Sequence, residues 1–268
     1  MTKLKFVFDY IKTKRNKAKG TILIIPAFAA NFGPYHKVLD KFSDYDIYML
    51  FVPGGLEINC RPIYKEMNKM LRLNYIANYV IDFIKTKKLK DVILMGHCTA
   101  TSIIGLVGSK CNSLISKVIL IVPYCKAFEL SKDLVKKSMP AYDAKTLIES
   151  GKVIFKKQTK FTDSAYLARC NEIVKKFRKY KTQLEFYLDK EIYANKTFTK
   201  VTKAYTQIKK SILICMSEED PVLKYKEAYK ELKKLLPNAK FAIFNNSKHM
   251  LFEEEPTKFG KVVKEFLN

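Results

Sequence analysis

Asp91-Val-Ile-Leu-Met-Gly-His-Cys-Thr-Ala-Thr-Ser-Ile-Ile-Gly105 is the stretch on which the reading of this chain turns. Val92 to Met95 is a short uninterrupted apolar run, the mark of a buried strand. Gly-His-Cys-Thr-Ala follows, and from Thr99 to Val107 the chain takes on helical character. A strand that turns sharply into a helix lifts the side chain at the turn above the end of the sheet. It also aims the first amides of the helix at whatever binds there. The residue at that turn is Cys98. A buried cysteine can equally be a small apolar packing residue, so the neighbouring segments have to decide.

They repeat one rhythm. Thr21 to Ile25, Asp46 to Val52, Lys117 to Val122 and Ser211 to Met216 are further apolar runs, and Lys240 to Phe244 is a last strand. Helical patterns fall between them: Tyr35 to Phe42, Tyr64 to Lys87 with a break near Arg72 to Asn74, Tyr225 to Leu236, and Pro256 to Leu267. Lys3 to Tyr10 reads as an edge strand and Ile11 to Gly20 as a basic turn. Strands alternating with helices predict an α/β fold, with a mostly parallel central sheet covered on both faces. Ligands of such sheets gather at the carboxyl ends of the strands. The loops after Ile25, Val52 and Met95 should open on that edge.

From Lys126 to Gln207 the rhythm changes. Helical patterns at Ser131 to Met139, Ala141 to Glu149, Asp163 to Tyr180 and Thr182 to Ala194 predominate, with a short strand at Val153 to Phe155. The expected organisation is a core of residues 1–125 and 208–268 with a helical cap inserted at 126–207.

With 268 residues, 48% of them hydrophobic, the chain can bury a large core. No apolar run is long enough to span a bilayer, and the N-terminus lacks the apolar centre of a secretion signal, so a cytoplasmic protein is expected. The six cysteines form no C-x-x-C pair, and neither a metal nor a cofactor is expected. The net charge of +24 is spread over nearly every helix rather than gathered in a block. It suits an anionic membrane surface or a phosphate-bearing substrate, or else it reflects a lysine-rich composition. Nothing resembles a nucleic-acid-binding motif, and no nucleic acid partner is expected.

A reactive thiol needs a base, and the base needs an orienting carboxylate. His249 lies in a loop after an apolar strand, on the edge where Cys98 should lie. His36 reads as a helix residue, and His97 is expected to point away from Cys98. Ser217-Glu-Glu-Asp-Pro221 follows a strand directly, which offers Asp220 as the carboxylate, with Glu218 and Glu219 as competitors. The amides of Thr99 and Phe28 are the expected pair of oxyanion donors.

Four segments in order carry a resemblance: Ile24-Ile-Pro-Ala-Phe28, Gly96-His-Cys-Thr-Ala100, Ser217-Glu-Glu-Asp-Pro221, and Lys248-His249 with Glu253-Glu-Glu-Pro256. Together they resemble the α/β-hydrolase superfamily, in its esterase and lipase-like branch with a helical cap. The resemblance implies hydrolysis of a small-molecule ester or thioester by a Cys98–His249–Asp220 triad through an acyl-thioester. Three positions depart from the usual pattern. Pro26-Ala27 stands for His-Gly, Cys98 for Ser, and Ala100 for the second Gly. Two rival readings stay open: an acyltransferase using the same cysteine, and an inactive binding protein that kept the fold.

Overall fold

The computed structural model describes residues 8–13, 17–27, 35, 38–53, 67–138, 140–158, 161 and 164–268. Among the described residues seven strands form one sheet: β1 (Asp9–Thr13), β2 (Thr21–Ile25), β3 (Asp46–Phe51), β4 (Val92–His97), β5 (Ile115–Ile121), β6 (Ser211–Ser217) and β7 (Lys240–Phe244). Their spatial order is β1-β3-β2-β4-β5-β6-β7. Only β1 is antiparallel, on the β3 edge; β2 to β7 pair in parallel. Residues 22–25, 93–95 and 118–121 are almost wholly buried, because helices cover the sheet on both faces.

The order reverses between β2 and β4. The chain leaves β2 toward β3 on one side, then returns to lay β4 on the other. Such a switch point opens a crevice at the carboxyl edge, and Cys98 follows β4 there.

Among the described residues the helices of the core are α1 (Leu73–Thr86), α2 (Ala100–Lys110), α8 (Tyr225–Leu235) and α9 (Pro256–Leu267), with single turns at Met67–Met70 and Leu251–Glu254. The break expected near Arg72 falls at residues 71–72, where Arg72 is extended. Between β5 and β6 come α3 (Lys132–Ser138), α4 (Ala144–Ile154), α5 (Ser164–Lys179), α6 (Lys181–Tyr187), a π-helical turn (Leu188–Ile192) and α7 (Asn195–Thr206). Part of this region has its own small core of Ala141, Leu147, Cys170, Val174, Phe177 and Leu184. Buried Glu191 ties it to the rest, accepting from the Leu73 amide at 2.9 Å and from Arg72 at 2.8 Å.

Three local expectations need correction. Val153 to Phe155 is not a strand: α4 runs to Ile154, and the Phe155 amide closes the last turn on the Gly151 carbonyl. The apolar run there is the last turn of a helix whose start is capped by Asp143. Ile11 to Thr13 is strand rather than turn, since β3 offers them a pairing edge. The helix α7 was absent from the sequence reading; its threonines and Phe198 are weak helix formers. Its signal lay in spacing, because Thr197, Phe198, Val201, Ala204 and Tyr205 make one buried stripe.

Candidate active site

The turn after β4 is held from both sides. The Cys98 amide donates to the Ile121 carbonyl at 2.9 Å, which carries the β4–β5 ladder one residue past the strand. The Cys98 carbonyl accepts from the Thr101 amide at 3.0 Å and the Thr101 hydroxyl at 2.6 Å. Between these anchors Cys98 is left with φ of +53°. A non-glycine side chain there is strained, and such strain concentrates where a side chain must be presented. Gly96 is needed for the same turn: a Cβ on it would sit 2.7 Å from Ile104 of α2. At position 100, by contrast, an alanine is accommodated, wholly buried as the first residue of α2.

The Thr101 hydroxyl also accepts from the Tyr124 amide at 2.7 Å and lies 3.1 Å from the Tyr205 hydroxyl. Thr101 therefore joins the turn to the end of β5 and to α7. Nothing in the sequence singled it out.

Asp220 and His249 arrive from the loops after β6 and β7. Asp220 is buried, and its Oδ1 accepts the amides of Val222 at 2.7 Å and Leu223 at 2.9 Å. These bonds aim the other oxygen at His249, whose Nδ1 lies 2.9 Å from Oδ2. Because a carboxylate only accepts, Nδ1 carries the proton. The Cys98 sulfur lies close enough to the imidazole to favour its charged form. Cys98, His249 and Asp220 thus meet at one edge of the sheet, whereas Glu218 and Glu219 lie on the exposed turn before Asp220.

Two opposing effects act on the His249 ring. Burial disfavours its charge, but the Asp220 carboxylate and the Cys98 sulfur favour it more strongly, so its pKa is raised to about 10. The ring keeps its proton through neutral pH. Other thiols differ. Burial pushes Cys111, Cys125 and Cys215 upward, with no imidazole to offset it.

His97 packs against the His249 loop. Its ring lies 4.7 Å from that of His249, and its Nε2 is 3.1 Å from the His249 carbonyl. Burial, then the His249 charge, lower its pKa well below the ordinary value. The neutral ring must then donate from Nε2 to that carbonyl, which makes His97 a support for the backbone of His249. His36 and Phe28 lie outside the described residues. Just before Phe28, the Ala27 amide donates to the buried Tyr35 hydroxyl at 3.3 Å, and Tyr35 stacks on Phe252. Thr99, buried, stands at the N-terminus of α2.

The His249 loop is braced by buried carboxylates. Glu254 accepts the amides of Lys248, Lys156 and Lys157 at 2.7–2.9 Å. The His249 amide itself donates to the Ile154 carbonyl at 3.1 Å, so the end of α4 helps to seat the imidazole.

A family model of the α/β hydrolase fold matches residues 20–256. This chain belongs to the α/β hydrolase family. Similar solved structures include a candidate lipase (lip1) from Acinetobacter baumannii AYE, with a TM-score of 0.80 and 17% identity over 97% of this chain and 87% of that one. A bacterial membrane phospholipase A follows at 0.77 and 16%, over 96% and 81%. A serine hydrolase from Cycloclasticus zankles aligns at 0.72 and 13%, over 97% and 98%. At such identities the likeness to this α/β hydrolase is one of fold. No curated protein matches the chain. Among the described residues no cluster of His, Cys, Asp and Glu could hold a metal ion, and no helix is long and apolar enough to cross a membrane.

Proposed function

We propose that this protein is an ester hydrolase that works through Cys98, His249 and Asp220 and an acyl-thioester intermediate. The observation that carries the reading is this grouping: a cysteine at φ +53°, an imidazole whose charge that cysteine's sulfur favours, and a buried carboxylate 2.9 Å from the imidazole. The lipase and phospholipase names borne by similar folds agree with an ester substrate.

The thiolate is the nucleophilic form of a cysteine. The Cys98 sulfur attacks the carbonyl carbon, and the carbonyl π electrons move to oxygen. The amides of Thr99 and Phe28 receive that oxyanion. His249 gives its proton to the departing alkoxide or thiolate as the C–O or C–S bond breaks, leaving an acyl group on Cys98. Water then attacks the acyl carbon and loses a proton to His249. The C–S bond breaks, the acid departs, and the thiolate–imidazolium pair is restored. Asp220 holds the ring in the required tautomer throughout. The helices of residues 126–207 act as a cap that covers the acyl chain.

A thiolate leaves readily, so it suits esters with good leaving groups and thioesters better than amides. The test is a panel of activated esters and acyl-CoA thioesters, with the enzyme quenched during turnover and weighed intact. Wild type is expected to carry one acyl group on the peptide containing Cys98, and Cys98→Ala to lose both adduct and turnover. Turnover that survives Cys98→Ala would move the chemistry elsewhere.

A further inference from the structure

Tyr193 has an unspent hydrogen bond. It is 5% exposed, and its hydroxyl is fully buried with no partner among the described residues. Other buried tyrosines around the site are satisfied: Tyr124 donates to the Ile192 carbonyl, Tyr205 lies 3.0 Å from the Tyr124 carbonyl, and Tyr35 accepts from Ala27. A buried hydroxyl without a partner costs about 1–3 kcal/mol. Phenylalanine would fill the same space without that cost, so the oxygen calls for a function.

Its position supplies one. Tyr124 comes three residues after the Ile121 carbonyl that binds the Cys98 amide. By holding Ile192, Tyr124 draws residues 192–193 over the same carboxyl edge. Tyr193 directly follows the π-helical turn and bonds back to the Leu188 carbonyl at 2.8 Å. Such turns recur at functional sites. Burial, and then the neighbouring Cys98 sulfur, disfavour ionisation of the Tyr193 hydroxyl. The ammonium groups of Lys132 and Lys136 each lie 5.8 Å from the ring centre. Positive charge on the ring makes its O–H a better donor.

We infer that the Tyr193 hydroxyl is a substrate-binding donor that takes an oxygen within the acyl or alkoxy chain of the ester, outside the ester group itself. The site therefore selects oxygenated acyl or alkoxy chains over plain alkyl ones. The inference rests on the Cys98-centred reading above.

Binding to Cys98→Ala tests it without turnover. The probes are 4-nitrophenyl heptanoate and heptyl acetate, each beside analogues in which an ether oxygen replaces every chain methylene in turn. One oxygen position is expected to bind about ten-fold tighter than its methylene parent, and adding Tyr193→Phe should bring that ratio to near one. Ligand-free Tyr193→Phe should melt no lower than wild type. A flat ratio at every position, as a resident water on the hydroxyl would give, overturns the inference, as does a ratio that survives Tyr193→Phe or a lower melting temperature. Turnover of the same esters by wild type separates the two claims. No turnover with the ratio intact sinks hydrolysis alone, turnover with a flat ratio sinks the donor alone, and no binding by any ester sinks both.

Discussion

The pairing of an imidazole with a sulfur and a carboxylate has a pH signature. His249 titrates at about 10 in the folded protein but near 6.5 in an unfolded chain. Its stabilising contribution is therefore complete below about 6.5 and is lost as pH rises through about 10. Melting wild type beside His249→Gln across that window should show a constant gap at acid pH that closes on the alkaline side. A gap that widened with pH would mean the ring is buried neutral. The same pairing sets thiol reactivity. Cys98 should alkylate with iodoacetamide faster than Cys111, Cys125 and Cys215, whose thiols burial pushes up. Peptide mapping after brief labelling checks this, and His249→Ala should slow Cys98 alone. Asp220→Asn, which keeps the shape but loses the charge, should lower kcat/KM by roughly 100- to 10,000-fold. These residues were legible in the chain because each follows an apolar run by a few positions. The part His97 plays under His249 was not legible, because alternation along a strand predicts which face a side chain leaves by, while the loop that folds over that face comes from 152 residues away.

At the scale of elements, the seat of Cys98 depends on how closely α2 and α7 approach. A Cβ on Gly105 would come within 2.7 Å of the Tyr205 ring, and one on Gly108 within 3.0 Å of Ile208. Gly105→Ala should cost about 1–3 kcal/mol by overpacking, despite alanine's better helix propensity. A denaturant melt measures it; a stabilised variant would mean Tyr205 can move at no expense. The approach also fixes Thr101, which Tyr205 touches, so esterase activity should fall with stability. Another joint is Glu254, whose three backbone partners span the segment after α4 and the His249 loop. Glu254→Ala leaves three amides unanswered, and KM and kcat should both worsen as the imidazole loses its seat. The E-E-E-P segment carries a resemblance, but its bonds to Lys156 and Lys157 were not visible in one dimension, because those partners lie 98 and 97 positions away.

For the whole molecule, the charge of +24 acts on everything at once. Like charges spread over a closed surface repel and oppose the compact state. Salt at about 0.15 M screens beyond roughly 8 Å, so the melting temperature should rise from low to moderate ionic strength. A flat response would show that local pairs, such as Lys19 with Asp44 at 3.0 Å, already neutralise the repulsion. The helices between β5 and β6 follow the same logic. Helices without a sheet of their own bury one face on each other and one on the core, which is how Glu191 comes to accept from an amide 118 positions earlier.

Composition and periodicity alone determined the layered α/β architecture. Buried parallel strands must be apolar without interruption and covering helices must be amphipathic, so both patterns are written locally. The positions of Cys98, Asp220 and His249 were written locally too, since each sits shortly after a strand. Only the tertiary structure decided what surrounds them: the positive φ at Cys98, the Thr101 clasp, His97 under His249, and the unanswered hydroxyl of Tyr193. Those depend on distances between segments far apart in the chain, and such distances are set by packing rather than by any residue's neighbours in sequence.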